Sequence, residues 1–299
     1  MDYTKKVAVV VVTYNRLSLL KECITSLRKQ TYTNFDIIVV NNGSTDNTLS
    51  WLNEQSDIIT ITQENLGGAG GFFTGMKYVA EQHYDYCWVM DDDVICSPEA
   101  LAELLEAYYR KEKIGFVCSR VKGIDGEPMN VPTVDNRPSS NGYPCYHELA
   151  DYGMIKIVDA TFVSVLFSIA TIKEMGLPYK EYFIWGDDTE YTSRISSKYD
   201  CFMACRSVVV HKRKIQCSLS FYTETDPNRL NFYFYQIRNN GHIALIYKNW
   251  KEKFKWIVSS FLMFAKLIVH FDVKRLRIFF KAIFSLVNFH PVVVYPEKD

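Results

Sequence analysis

Much can be set aside from what this chain lacks. Its 34 Lys and Arg are balanced by 34 Asp and Glu, so no net field favours nucleic acid as a partner. Cysteine is present eight times but never as a CxxC pair, which leaves no zinc knuckle. The wider set Cys201, Cys205, His211 and Cys217 is a weak alternative zinc site. The strongly apolar stretch 256–271 carries Lys266 and His270. Its roughly sixteen residues fall short of the roughly twenty that a spanning helix needs. No charged-then-apolar leader precedes Val7, so the expectation is a cytoplasmic chain with free thiols. The glycine-rich stretch at 67–71 is followed by no Gly-Lys-Ser/Thr, which excludes a P-loop, and it does not follow the first strand, which excludes a dinucleotide fingerprint.

The 299 residues, 48% hydrophobic and 23% charged, describe a folded protein with a sizeable core. Val7 to Thr13 is a β-branched run typical of a strand covered on both faces. A helical stripe (Leu17, Leu20, Ile24, Leu27) follows, then a second strand at 35–40, a short helix at 48–55 and a third strand at 58–62. Alternation at this spacing predicts parallel strands with right-handed crossovers, whose ligands sit beyond the carboxyl ends of the strands. The loops at 13–16 and 41–46 are such ends. Further strands are expected at 86–90, 114–120, 158–170 and 201–210, helices at 99–111 and from Tyr191, and a long excursion at 122–150.

Two acidic clusters carry the chemistry. Asp91-Asp92-Asp93 follows the apolar run Tyr86 to Met90, and three adjacent like charges are costly unless solvated or shared with a cation. Oxygen ligands of this kind suit Mg²⁺ or Mn²⁺, commonly with a phosphate. Asp187-Asp188 follows the aromatic stretch Tyr182 to Trp185 and opens a helix. Apolar walls raise a carboxylate's pKa and suit it to accept a proton near neutrality. His211 ends a strand and precedes Lys212, Arg213 and Lys214, an arrangement suited to a metal beside a diphosphate.

Six motifs occur in order: VVTYNR at 11–16, VVNNGSTDNT at 39–48, ENLGGAGGF at 64–72, MDDDV at 90–94, FIWGDDTEY at 183–191 and VVHK at 209–212. Together they resemble the inverting family 2 glycosyltransferases of GT-A fold, and within them the galactofuranosyl- and rhamnosyltransferase branch. The resemblance implies an α/β fold with a mostly parallel central sheet and flanking helices, over a catalytic domain at 1–228. It implies a nucleotide-sugar donor, UDP-linked, and a glycan or lipid-linked acceptor in bacterial surface polysaccharide synthesis. By the same resemblance, Thr13, Asn15, Arg16 and Asn41 line the nucleotide pocket, Asn41 standing where the family usually has Asp. Asn65, Gly67 and Gly68 shape the donor-sugar wall, and their glycine-rich form favours galactofuranose. Asp91 and Asp92 contact the donor, and Asp91, Asp93 and His211 hold Mn²⁺ or Mg²⁺. Asp188, with Asp187 beside it, is the base; Trp185 stacks on sugar and Lys212 faces the diphosphate.

The segment 229–299 is read as helical, basic and apolar. Between Lys248 and Lys281 nine Lys and Arg face two acids, Glu252 and Asp272. A helix lying in an anionic membrane surface is the expectation, placing the chain peripherally at the inner face of the cell membrane. A core-closing helix or a contact between copies of the chain are the alternatives. Two other functions compete with glycosyl transfer. A sugar nucleotidyltransferase requires a Gly- and Arg-bearing loop after the first strand, which TYNR does not supply. A purely carbohydrate-binding protein has no use for a base.

Overall fold

The computed structural model describes residues 4–213, 220–247 and 249–297. Its centre is one twisted sheet. Strands β1 (Val7–Thr13), β2 (Phe35–Asn42), β3 (Ile58–Gln63) and β4 (Tyr86–Asp91) pair in parallel in the order β3-β2-β1-β4. Alternate β1 residues serve opposite faces: Val7, Val9 and Val11 join one core cluster, Ala8, Val10 and Val12 the other. Helices α1 (Leu17–Leu27) and α4 (Ala100–Tyr108) cover the first face, and α3 (Gly67–Ala80) the second. That double cover is why β1 needs an unbroken β-branched run.

Beyond β4 the sheet turns mixed. β8 (Val165–Ser168) runs antiparallel between β4 and β6 (Ile114–Lys122). β9 (Asp200–His211) lies parallel to β6, and antiparallel to β5 (Val94–Cys96) at one end and β7 (Met154–Ile157) at the other. The expected parallel arrangement therefore holds for the N-terminal half, and the later strands enter from both directions. The run 158–170, expected to be a single strand, gives only β8. Ser168 then caps α5 (Ile169–Met175) by accepting from the Thr171 amide, which stops the strand early. Similarly, α4 begins at Ala100 with no side-chain cap; Ser97 contributes its carbonyl rather than its hydroxyl.

The glycines of 67–71 form the first turns of α3 rather than a free loop. A Cβ on Gly71 would stand 2.4 Å from Val12 Cγ1, and one on Gly75 2.4 Å from Val10 Cγ1. Their smallness lets α3 lie close against β1, bringing its N-terminus over the strand ends.

Among the described residues three helices follow the sheet: α7 (Pro227–Tyr247), α8 (Trp250–Val269) and α9 (Val273–Val287). They share a third apolar cluster around Tyr233, Leu267 and Phe279. Asn249 caps α8 by accepting from the amides of Lys251 and Glu252.

Candidate active site

β1 and β4 are neighbours in register, Val12 opposite Asp91, so the loops after them emerge side by side. The three carboxylates after β4 part company there. Asp92 turns inward, 3% exposed, accepting from the Thr13 hydroxyl at 2.7 Å and from Arg16 at 3.3 Å. Arg16 also donates to Asp93 Oδ2 at 2.9 Å. One guanidinium thus spans two of the three charges, which relieves the repulsion the triplet would otherwise suffer. Asp91 and Asp93 reach the cleft.

β5 then brings the opposite partner, because Val94 pairs with His211 at the end of β9. The ligand atoms of Asp91, Asp93 and His211 lie within 4.8 Å of one another. Asn130 Oδ1 is 2.9 Å from His211 Nδ1, and accepts from it when that nitrogen carries the proton. This leaves Nε2 with its lone pair facing Asp93 Oδ1, 3.0 Å away. That oxygen is buried and, among the described residues, has no partner besides the imidazole. Two lone pairs aimed at one point, with a second residue orienting the imidazole, fit a divalent cation. Burial, then the charge of Asp93, pushes Asp91 up to about 7. Asp92 is pushed up to about 6 by burial, against the pull of Arg16. Against burial, the bond Asp93 accepts from His211 when Nε2 carries the proton, together with the charge of Arg16, holds its carboxyl below the ordinary range.

The second cluster opens α6 (Asp187–Ser196), placing both carboxylates in the first turn of that helix. Burial raises both, and in Asp187 the neighbouring Asp188 charge raises it further. Asp187 is the more deeply buried, while Asp188 is half-buried and accepts at Oδ1 from the Thr189 amide at 2.6 Å. A cleft of about 340 Å³ joins the two clusters: Arg16, Gly68, Asp91, Asp93, Trp185, Asp187, Asp188 and His211 all line it. The convergence expected from strand-end topology is present.

Other expected residues shape the loops at the strand ends. Asn15, at φ 54°, accepts from the amides of Thr45 and Asp46 and so ties the loop after β1 to the loop after β2. Asn41 accepts from the Ser44 amide at 3.1 Å, shaping the same loop. Asn65 accepts from the Gly67 amide at 3.0 Å. A Cβ on Gly67, whose φ is +74°, would fall 2.0 Å from the Phe183 carbonyl oxygen. Lys212 is held by Glu22 of α1 at 2.6 Å, and among the described residues of this basic run it is Arg213 that lines the cleft, together with Arg16. Lys214 and Cys217 lie outside the described residues. The zinc alternative fails on geometry: Cys201 and His211 sit at opposite ends of β9, ten residues and about 33 Å apart at strand rise.

Two contributors were missed. Asn130 lies in the 122–150 excursion, where no periodicity marks it. Asn42 donates to the Gly67 carbonyl at 2.9 Å and accepts from Gln63 and Leu66, anchoring the start of α3. The doubled Asn at the end of β2 was its only signal.

Comparison with known proteins agrees with this geometry. The chain is 30% identical over 201 residues to the galactofuranosyltransferase GlfT1 of Mycobacterium tuberculosis, covering 64% of this chain and 65% of that protein. It is 25% identical over 202 residues to GlfT1 of Mycolicibacterium smegmatis, covering 65% of this chain and 67% of the relative. The chain thus spans about two thirds of the length of these curated relatives. The crystal structure of S. aureus TarS superimposes with a TM-score of 0.56 at 15% identity, over 81% of this chain and 40% of that one, a likeness of fold. The model of glycosyl transferase family 2 matches residues 8–174, and the chain belongs to that family.

Proposed function

We propose that this protein is a metal-dependent inverting glycosyltransferase that moves a sugar from a UDP-linked donor to a hydroxyl of a glycan or lipid-linked glycan. The observation that carries the reading is the single cleft lined by both Asp91/Asp93/His211 and Asp187/Asp188. Its likeness to GlfT1, a galactofuranosyltransferase by name, favours galactofuranose as the sugar.

Asp91, Asp93 and His211 would hold Mn²⁺ or Mg²⁺, which when bound supplies positive charge against a diphosphate leaving group. Arg16 and Arg213 add cationic lining to the same cleft. Trp185 offers a flat apolar wall for the sugar. Asp188, at the half-buried end of its helix turn, takes the proton from the acceptor hydroxyl. As that oxygen bonds to the anomeric carbon, the bond from carbon to the phosphate oxygen breaks, and UDP leaves with the electron pair. One displacement inverts the centre.

The test is Asp188→Asn with UDP-galactofuranose. Turnover is expected to vanish while UDP affinity stays at the wild-type value; near-normal turnover overturns the assignment.

The surface of α8 favours a membrane as the site of work. Trp250 (73% exposed), Phe254 (61%), Phe261 (66%) and Leu262 (61%) share one face of the helix with Ile257 and Val258. Lys253 and Lys255 flank that face on either edge, and Glu252 is turned away from it. Aromatic and aliphatic side chains edged by lysine match the boundary of an anionic bilayer. No described helix is long and apolar enough to cross a membrane; on this reading α8 would lie along the surface. The full chain should sediment with phosphatidylglycerol-rich vesicles but not phosphatidylcholine ones, and Phe254→Ser/Phe261→Ser should release it. Equal binding to both vesicles, or dimerisation in solution abolished by the same pair, refutes this.

A further inference from the structure

The turn leading into Asp187 adopts a conformation its own sequence does not favour. Phe183 has φ 63° and ψ −62°, Trp185 has φ 61° and Gly186 φ 95°. Non-glycine residues at such angles persist only when surrounding groups over-determine them. The determining groups come from α7, some 50 residues later in the chain. Fully buried Asn239 donates through Nδ2 to the carbonyls of Tyr182 at 3.0 Å, Ile184 at 3.3 Å and Trp185 at 2.7 Å. Its Oδ1 accepts from Arg238 Nε at 3.0 Å and Nη2 at 2.9 Å, which fixes which end of the carboxamide faces the turn. Arg238 Nη2 also donates to the Glu181 carbonyl at 2.7 Å. On the other side, the Ala69 amide of α3 donates to the Phe183 carbonyl at 3.1 Å.

We propose that Asn239 is a positioning residue for the Asp187–Asp188 pair, its carboxamide holding the backbone at 182–185 in the shape that delivers both carboxylates to the cleft. Ring packing alone does not supply this. Phe183 stacks on Tyr235 with centroids 4.8 Å apart, and Trp185 meets Tyr233 edge-on at 5.1 Å. Those contacts keep the side chains in place but tolerate rotation of the peptide planes. A donor aimed at three carbonyls of the turn sets those planes, and α6 starts two residues after the last of them. The inference rests on the reading of Asp187 and Asp188 as the reacting carboxylates.

The experiment uses the full chain with Asn239→Ala and, as a milder variant, Arg238→Gln, which keeps the Nδ2 donors and releases Oδ1. Three quantities are read: kcat for UDP release from UDP-galactofuranose, UDP affinity with Mn²⁺, and amide exchange of the peptide 182–188. Asn239→Ala should lower kcat by about 100-fold, as displacement of reacting groups by about 1 Å does. UDP affinity should stay within twofold and exchange should rise in 182–188 alone. Arg238→Gln should move each readout the same way by less, and it decides the matter if Asn239→Ala does not fold. Wild-type kcat and exchange overturn the proposal, as does a kcat loss matched by equal loss of UDP affinity with exchange rising throughout. Asp188→Asn run in parallel separates the two readings. If it keeps turnover, the carboxylate assignment falls, while the exchange data still decide whether Asn239 holds the turn.

Discussion

Replacing Asn130 by glycine tests the proposed metal site through a residue that is not one of its three ligands. Asn130 sits at φ 47°, which glycine adopts without strain, so Asn130→Gly removes the carboxamide and keeps the backbone. The loss is the 2.9 Å bond that orients the His211 imidazole. Removing such an outer partner lowers metal affinity about 10- to 100-fold, roughly 1.4–2.7 kcal/mol. The effect is visible without any turnover. At Mn²⁺ one hundred times the wild-type Kd, binding stabilises the wild type by about 2.7 kcal/mol. A variant binding about 30-fold more weakly gains only about 0.9 kcal/mol at the same concentration. The Mn²⁺-induced rise in melting temperature should therefore shrink to about a third, with little change in the metal-free Tm. Calorimetric titration of Mn²⁺ gives the Kd directly. A variant with wild-type Kd and a full melting shift would show that His211 needs no orienting partner and that this account of the site is wrong.

Two further outcomes follow from the same geometry. The carboxyls of Asp187 and Asp188 are raised by burial, so between the unfolded value and the raised folded value the native state holds more protons than the unfolded one. Their contribution to stability is hence greatest below the unfolded pKa and is lost as pH rises through the folded one, while turnover, needing an ionised base, falls as pH drops through that same window. Denaturant melts and pH–rate profiles should run in opposite directions, and Asp187→Asn should flatten the stability curve; parallel profiles contradict this. At the α3–β1 contact, Gly75→Ala puts a methyl 2.4 Å from Val10 Cγ1 and should cost about 1–3 kcal/mol through overpacking. Gly68→Ala, with open space around its Cβ position, should melt much nearer the wild type, and equal losses in both would refute the close-packing explanation.

Legibility in the sequence tracked how local the determining physics was. β1 through β4 could be read because burial on both faces forces continuous β-branched runs, and their parallel pairing follows from the helices between them. The mixed half could not. The apolar stretch at 158–170 has no periodicity separating strand from helix, and Ser168 alone ends the strand. In the site, the clusters at 91–93 and 187–188 were visible as charges set against apolar runs. Their division of labour was hidden, because the inward turn of Asp92 depends on Thr13 and Arg16, about 77 residues earlier in the chain. Lys212 looked like a diphosphate partner by adjacency, but its pairing with Glu22 is a tertiary fact that spacing does not encode.

The three-residue pairing of β5 with β9 carries one more consequence. Side chains alternate across a strand, and β9 is held by its long pairing with β6, so a slip of one residue by β5 would draw the adjoining Asp93 out of step with His211 and scatter the three ligand atoms. If these three groups hold a cation as proposed, the short β5 edge and the ion would stabilise one another, each favouring the register in which the other fits.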